Sequence, residues 1–101
     1  MLDVDVHDGE GAARLVVRGD LDYGSADRLR LAAADVAGSG TLELDLSGVP
    51  YMDSTGIAAL LGIHSARERA GGALHVVAAS PQVERLLRIT GIDRVLQAGS
   101  D

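Results

Sequence analysis

Leu42-Glu43-Leu44-Asp45-Leu46-Ser47-Gly48-Val49-Pro50-Tyr51-Met52-Asp53-Ser54-Thr55-Gly56-Ile57 is the stretch on which the reading of the fold turns. Its first half alternates. Leu42, Leu44 and Leu46 fall on one side and Glu43, Asp45 and Ser47 on the other, the period of a strand with one covered and one wet face. Gly48 and Pro50 break that period and mark a loop. Asp53 then stands where a helix cap belongs, with Ser54, Thr55 and Gly56 filling the first turn. A strand runs through a short loop into a helix, the repeating joint of an α/β fold.

Working outward, the same alternation recurs. Leu2, Val4 and Val6 oppose Asp3, Asp5 and His7; Ala13, Leu15 and Val17 oppose Arg14, Val16 and Arg18; Leu74 and Val76 oppose His75 and Val77. Asp8-Gly9-Glu10-Gly11 between the first two has the composition of a turn, so these pair as an antiparallel hairpin. Asp3, Asp5, Glu43 and Asp45 are expected to meet Arg14 and Arg18 on the wet face of the sheet. Helical spacing predicts three helices. The first runs from about Ser25 to Ala37 on a stripe of Leu29, Ala32, Ala33 and Val36, with the side chain of Ser25 or Asp22 expected to cap its start. The second runs from about Ser54 to Ala70 on a stripe of Ile57, Leu60, Leu61 and His64, closed by Gly71-Gly72. The third opens at Ser80-Pro81, carries Val83, Leu86 and Leu87, and stops at Gly91. A further edge strand is expected around Arg94-Val95-Leu96. Strands that follow helices are parallel to their predecessors. The expectation is one α/β domain over residues 1–101: a mixed four- to five-stranded sheet with helices packed mainly on one face.

Composition narrows the chemistry. The 101 residues carry a net charge of −6, and none is Cys. Disulfide scaffolds, Cys-ligated metals and thiol nucleophiles are thereby excluded. All nine basic residues are Arg, which excludes a Schiff-base lysine and the lysine of a phosphate-binding loop. The acidic balance argues against nucleic acid. Tyr23 and Tyr51, the only aromatics, make no stacking platform. No apolar run is long enough for a membrane span, and the acidic N-terminus lacks the basic region of a signal peptide. A cytoplasmic domain is expected. His7, His64 and His75 have no metal-ligand spacing, no Gly-x-Ser-x-Gly elbow surrounds Ser54, and no cofactor motif is present.

The first turn after Asp53 is the one stretch that points to a function. Backbone N–H groups at a helix start and the helix dipole both favour negative charge, so a phosphate on a hydroxyl there is tolerated. A cap followed by small residues is also an ordinary way to begin a helix, and the residues alone leave both readings open.

Gly19-Asp20-Leu21-Asp22, Leu44-Asp45-Leu46-Ser47-Gly48-Val49, Tyr51-Met52-Asp53-Ser54-Thr55-Gly56, Gly71-Gly72 and Thr90-Gly91 together resemble the STAS domain, and within it the bacterial anti-sigma factor antagonists. The likeness spans about Val4 to Leu96. It departs in reading Gly-Asp-Leu-Asp where Gly-Glu-Leu-Asp is commoner. The resemblance implies a non-enzymatic partner switch that regulates sigma-factor-dependent transcription. Such an antagonist binds an anti-sigma factor that is also a serine kinase, is phosphorylated by it and released, and is reset by a serine phosphatase. Carried onto this chain, Ser54 is the phosphorylated residue, and Asp22, Ser25, Asp53, Ser54, Thr55 and Gly56 form the partner-binding surface. No metal, nucleic acid or membrane is implied, and the free chain is expected to be a monomer. The alternative within the resemblance is an accessory domain of a lipid-transport or stress-sensing complex, without a phosphoswitch.

Overall fold

The structure, a computed structural model, describes residues 2–8, 12–36 and 40–96. Among these, four strands and four helices follow in the order β1 (Asp3–Asp8), β2 (Ala12–Arg18), α1 (Ala26–Asp35), β3 (Thr41–Gly48), α2 (Ser54–Arg69), β4 (Ala73–Ala79), α3 (Pro81–Thr90) and α4 (Ile92–Leu96). The strands lie in chain order in one sheet. β1 and β2 pair antiparallel, with Val4 opposite Val17 and Val6 opposite Leu15. β2–β3 and β3–β4 are parallel, with Leu15, Leu44 and Val76 in one row. The hairpin is thus as expected, while the turn residues 9–11 lie outside the described residues.

Alternation does what the sequence dictates. Leu15, Val17, Leu42, Leu44, Leu46, Leu74 and Val76 are buried and share one core with Leu29 and Ala33 of α1, Ala59, Leu60 and Ile63 of α2, and Val83 and Leu87 of α3. Burying each such aliphatic side chain stabilises the fold by roughly 1.5–3 kcal/mol. The other face stays wet. Arg14 meets Glu43 at 2.9 Å, and Arg18 reaches Asp5 at 2.8 Å and Asp3 at 3.5 Å. These pairs are exposed and contribute little to stability. They do perturb titration: the hydrogen bond from Arg18 lowers the pKa of Asp5. Asp45 is lowered chiefly by the hydroxyl and N–H of Ser47, its neighbour on the strand.

Three expectations are corrected. The edge strand around Arg94-Val95-Leu96 is the short helix α4. Ile92 is half-buried and Leu96 buried, four residues apart, so helical spacing suits this segment better than strand alternation. The buried stripe of α2 is Gly56, Ala59, Leu60, Ile63 and Arg67, one step round from the expected Ile57, Leu60, Leu61 and His64. Ile57 is only half-buried and Leu61 is 36% exposed. Helix α2 is apolar almost all round, so spacing alone does not choose its inner face. The start of α1 is the third: Ser25 occupies the cap position but its side chain makes no cap hydrogen bond. By contrast Ser80 caps α3 through Val83 N, with Pro81 behind it, and Gly91 closes α3 at φ 78°.

Candidate functional site

The site is made by two loops zipped together at one end of the sheet. Beyond β2 the chain continues beside the end of β3. Gly19 N donates to Gly48 O at 3.0 Å and Leu21 N to Tyr51 O at 2.9 Å, and Asp53 N donates back to Leu21 O at 3.3 Å. Leu21 and Met52 form an isolated parallel bridge and are both buried. The next residue along each chain is an acid, Asp22 on one and Asp53 on the other. The two blocks that stand far apart in sequence are therefore neighbours in space. The second loop is anchored from behind as well: Ser80 Oγ donates to Val49 O at 2.6 Å.

Asp53 caps α2. Its Oδ1 accepts from Thr55 N at 2.9 Å and Gly56 N at 3.2 Å, and its carbonyl accepts from Ile57 N. The cap is the expected one, and its one carboxylate already holds two of the N–H groups and carries a negative charge at the positive pole. Ser54 is the first helical residue and is exposed, whereas Thr55 is half-buried and Gly56 buried. Of the two hydroxyls, Ser54 is the one open to another molecule.

Gly56 explains how the helix start gets so close to the first loop. A Cβ at that position would lie 2.5 Å from Met52 Cγ and 2.7 Å from Leu21 O. Only glycine allows that approach, so Gly56 sets the position of Ser54 from below rather than presenting a surface of its own. Asp22 and Ser25 are likewise tied into their own turn. Asp22 Oδ1 accepts from Gly24 N at 3.1 Å, Ser25 Oγ accepts from Asp22 N at 3.0 Å, and that hydroxyl lies 2.7 Å from Asp20 O. Their polar atoms hold the loop in shape beside Asp53.

Two residues near the site escaped the sequence reading. Tyr23 is 87% exposed and Tyr51 46% exposed, one on each of the joined loops. Both aromatics of the chain thus stand outside the core. The signal was available, because both lie in loop segments and not on any apolar stripe. The histidines are dispersed: His7 pairs in register with Arg14 and His75 with Glu43 on the sheet, while His64 is half-buried on α2, 3.5 Å from Glu68. Among the described residues no cluster of His, Cys, Asp or Glu could hold a metal ion, and no helix is long and apolar enough to cross a membrane.

A family model described as the STAS domain matches residues 2–100. The chain belongs to the STAS domain family. Within it, the chain is 32% identical over 96 residues to the anti-sigma-B factor antagonist of Bacillus subtilis, covering 94% of this chain and 88% of that one. An anti-sigma factor antagonist from Mycobacterium paratuberculosis has a similar crystal structure, with a TM-score of 0.86 and 26% identity over 100% of this chain and 87% of the other. The Bacillus cell fate determinant SpoIIAA, solved in its phosphorylated form, shares the fold at a TM-score of 0.72 and 16% identity, covering 98% of this chain and 93% of that one. In this STAS domain the joined loops and the capped start of α2 lie together at one end of the sheet.

Proposed function

We propose that the chain is an anti-sigma factor antagonist that acts in the cytoplasm by partner switching, with Ser54 as the phosphorylated residue and no catalytic activity of its own. The observation that carries the reading is the placement of Ser54. Ser54 is exposed on the first turn of a helix fixed by Asp53, Gly56 and the Leu21–Met52 bridge, directly after Asp53. In the unphosphorylated state this end docks on an anti-sigma factor serine kinase and displaces the sigma factor. The Ser54 oxygen attacks the γ-phosphorus of ATP, ADP leaves, and the hydroxyl proton is lost. A serine phosphatase hydrolyses the ester and restores the docking form.

The switch follows from electrostatics. The ester adds about −1.5 to −2 charges near pH 7. It arrives beside Asp53, which already uses the helix pole, and near Asp22. Docking then requires desolvating a dianion amid like charges. A loss of about 4 kcal/mol weakens binding roughly a thousandfold. The fold itself tolerates the ester, a reading supported by the likeness to a phosphorylated protein of the same fold.

The test is incubation with the cognate anti-sigma factor kinase and ATP, read by mass spectrometry. The expected product gains one phosphate on Ser54, and Ser54→Ala gains none. Phosphate appearing on Thr55, or no transfer to a folded chain that binds the kinase, contradicts the assignment.

A further inference from the structure

β2, β3 and β4 run parallel, so the loops that follow them leave the sheet at the same end. Each of the three loops presents an exposed ring. Tyr23 stands on the loop after β2, 87% exposed, and Tyr51 on the loop after β3, 46% exposed. Pro50 beside Tyr51, and Pro81 after β4, are exposed as well. Hydrogen bonds join the loops to one another. Leu21 N donates to Tyr51 O at 2.9 Å, Ser80 N to Leu46 O at 3.2 Å and Ser80 Oγ to Val49 O at 2.6 Å. A lone apolar residue on a surface is ordinary, but rings gathered from three tied loops form a patch.

Between the second and third loops lies an open groove of about 510 Å³, with Pro50 and Pro81 among its lining. No charged side chain lines it among the described residues, in a chain that is 24% charged. The acids nearest the rings are turned to their own backbone. Asp53 Oδ1 accepts from Thr55 N and Gly56 N, and Asp22 Oδ1 from Gly24 N. What this end of the sheet offers a partner is therefore ring surface beside Ser54, which is exposed three residues beyond Tyr51. Tyrosine suits that use, because it brings a large contact area at the cost of ordering only two torsions.

We infer that Tyr23, Tyr51 and the groove between Pro50 and Pro81 form one uncharged ridge that docks on the anti-sigma factor kinase, against an apolar kinase surface poor in Arg and Lys. The inference rests on Ser54 as the switch. A cationic partner face would pair with phosphate on Ser54 and hold the modified chain more tightly. Only a face without such cations makes burial of the ester unfavourable. The rings supply the affinity of the unmodified chain, and the ester on Ser54 cancels it.

The test is calorimetric titration of the full, unmodified chain and its variants with the cognate kinase, with a thermal melt of each. Tyr23→Ala and Tyr51→Ala are each expected to weaken binding at least about tenfold. Tyr23 is so exposed that its loss is expected to leave Tm unchanged. Tyr23→Phe keeps the ring and is expected to bind as wild type does. Pro81→Glu places a charge in the groove at a helix start that favours one, and is expected to bind at least about tenfold more weakly. The Tyr23→Ala loss is expected to persist in about 0.5 M salt, where charges are screened beyond roughly 4 Å. Undiminished binding by Tyr23→Ala, Tyr51→Ala or Pro81→Glu overturns the inference and leaves Ser54 as the switch. So does a Tyr23→Ala loss that vanishes in high salt, or a loss in Tyr23→Phe as large as in Tyr23→Ala. A wild-type chain that takes no phosphate from the kinase on Ser54 overturns both readings.

Discussion

Gly56 and Asp45 show how much a single position settles. At Gly56 an added methyl has nowhere to go, because one of the atoms it meets is the Leu21 carbonyl, which is held by Asp53 N. Gly56→Ala is expected to destabilise the domain by about 1–3 kcal/mol, as overpacking does, and urea denaturation measures it. The glycine could be read from sequence as part of a motif, but its reason could not: nothing in the spacing says that Leu21 lies beneath it. Asp45 makes a different point. Its carboxylate is held below the ordinary value of 3.8 by Ser47. A lowered folded-state pKa means a contribution that is present above the unfolded value and is lost as pH falls through the folded one. Ser47→Ala is therefore expected to move the Asp45 titration back up towards 3.8, read from its carboxyl carbon by NMR, with a loss of stability that is present above about pH 4 and fades as the carboxylate is protonated in acid.

Elements differ in how plainly the sequence announces them. β3 and α3 were legible because each carries a signal with one meaning: strict alternation in Leu42–Leu46, and a Ser-Pro start with a glycine stop in α3. The inner face of α2 was not, because Ile57, Ala58, Leu61 and Ile63 put apolar residues on every side of it, and only its neighbours decide which are covered. The burial of Arg67 was hidden for the same reason; an arginine near a helix end reads as a solvated partner of the dipole. α4 was mistaken for a strand because five residues are too few to separate the two periods. Two changes on α2 are expected to act in opposite directions. Asp53→Ala removes the acceptor for two N–H groups and is expected to cost about 1 kcal/mol, a fall in Tm of roughly 4–8 °C for a domain of this size. Gly62→Ala is expected to raise stability by about 0.5–1 kcal/mol. Thermal melts followed by circular dichroism check both.

For the molecule as a whole, the sheet has one dry face and one charged face, and the site lies at neither. It sits at the end where the loop after β2 is zipped to the loop after β3, and that junction was only half visible beforehand. The sequence pointed to both acidic blocks and to Ser54. It also placed Asp53 at the helix cap, as the structure has it, but did not show that Tyr23 and Tyr51 stand exposed on the same pair of loops. Both features favour a docking surface whose charge can be altered while the layers beneath it stay as they are. Ser54→Asp is expected to leave the amide spectrum unchanged beyond the joined loops and the first turns of α2. The most direct measurement is the affinity of the cognate anti-sigma factor kinase for the unmodified and the Ser54-phosphorylated chain, taken by calorimetry with a melting curve for each form. The account predicts binding weakened roughly a thousandfold with a nearly unchanged Tm. Equal affinities, or a phosphorylated chain that has lost its cooperative melt, would contradict it.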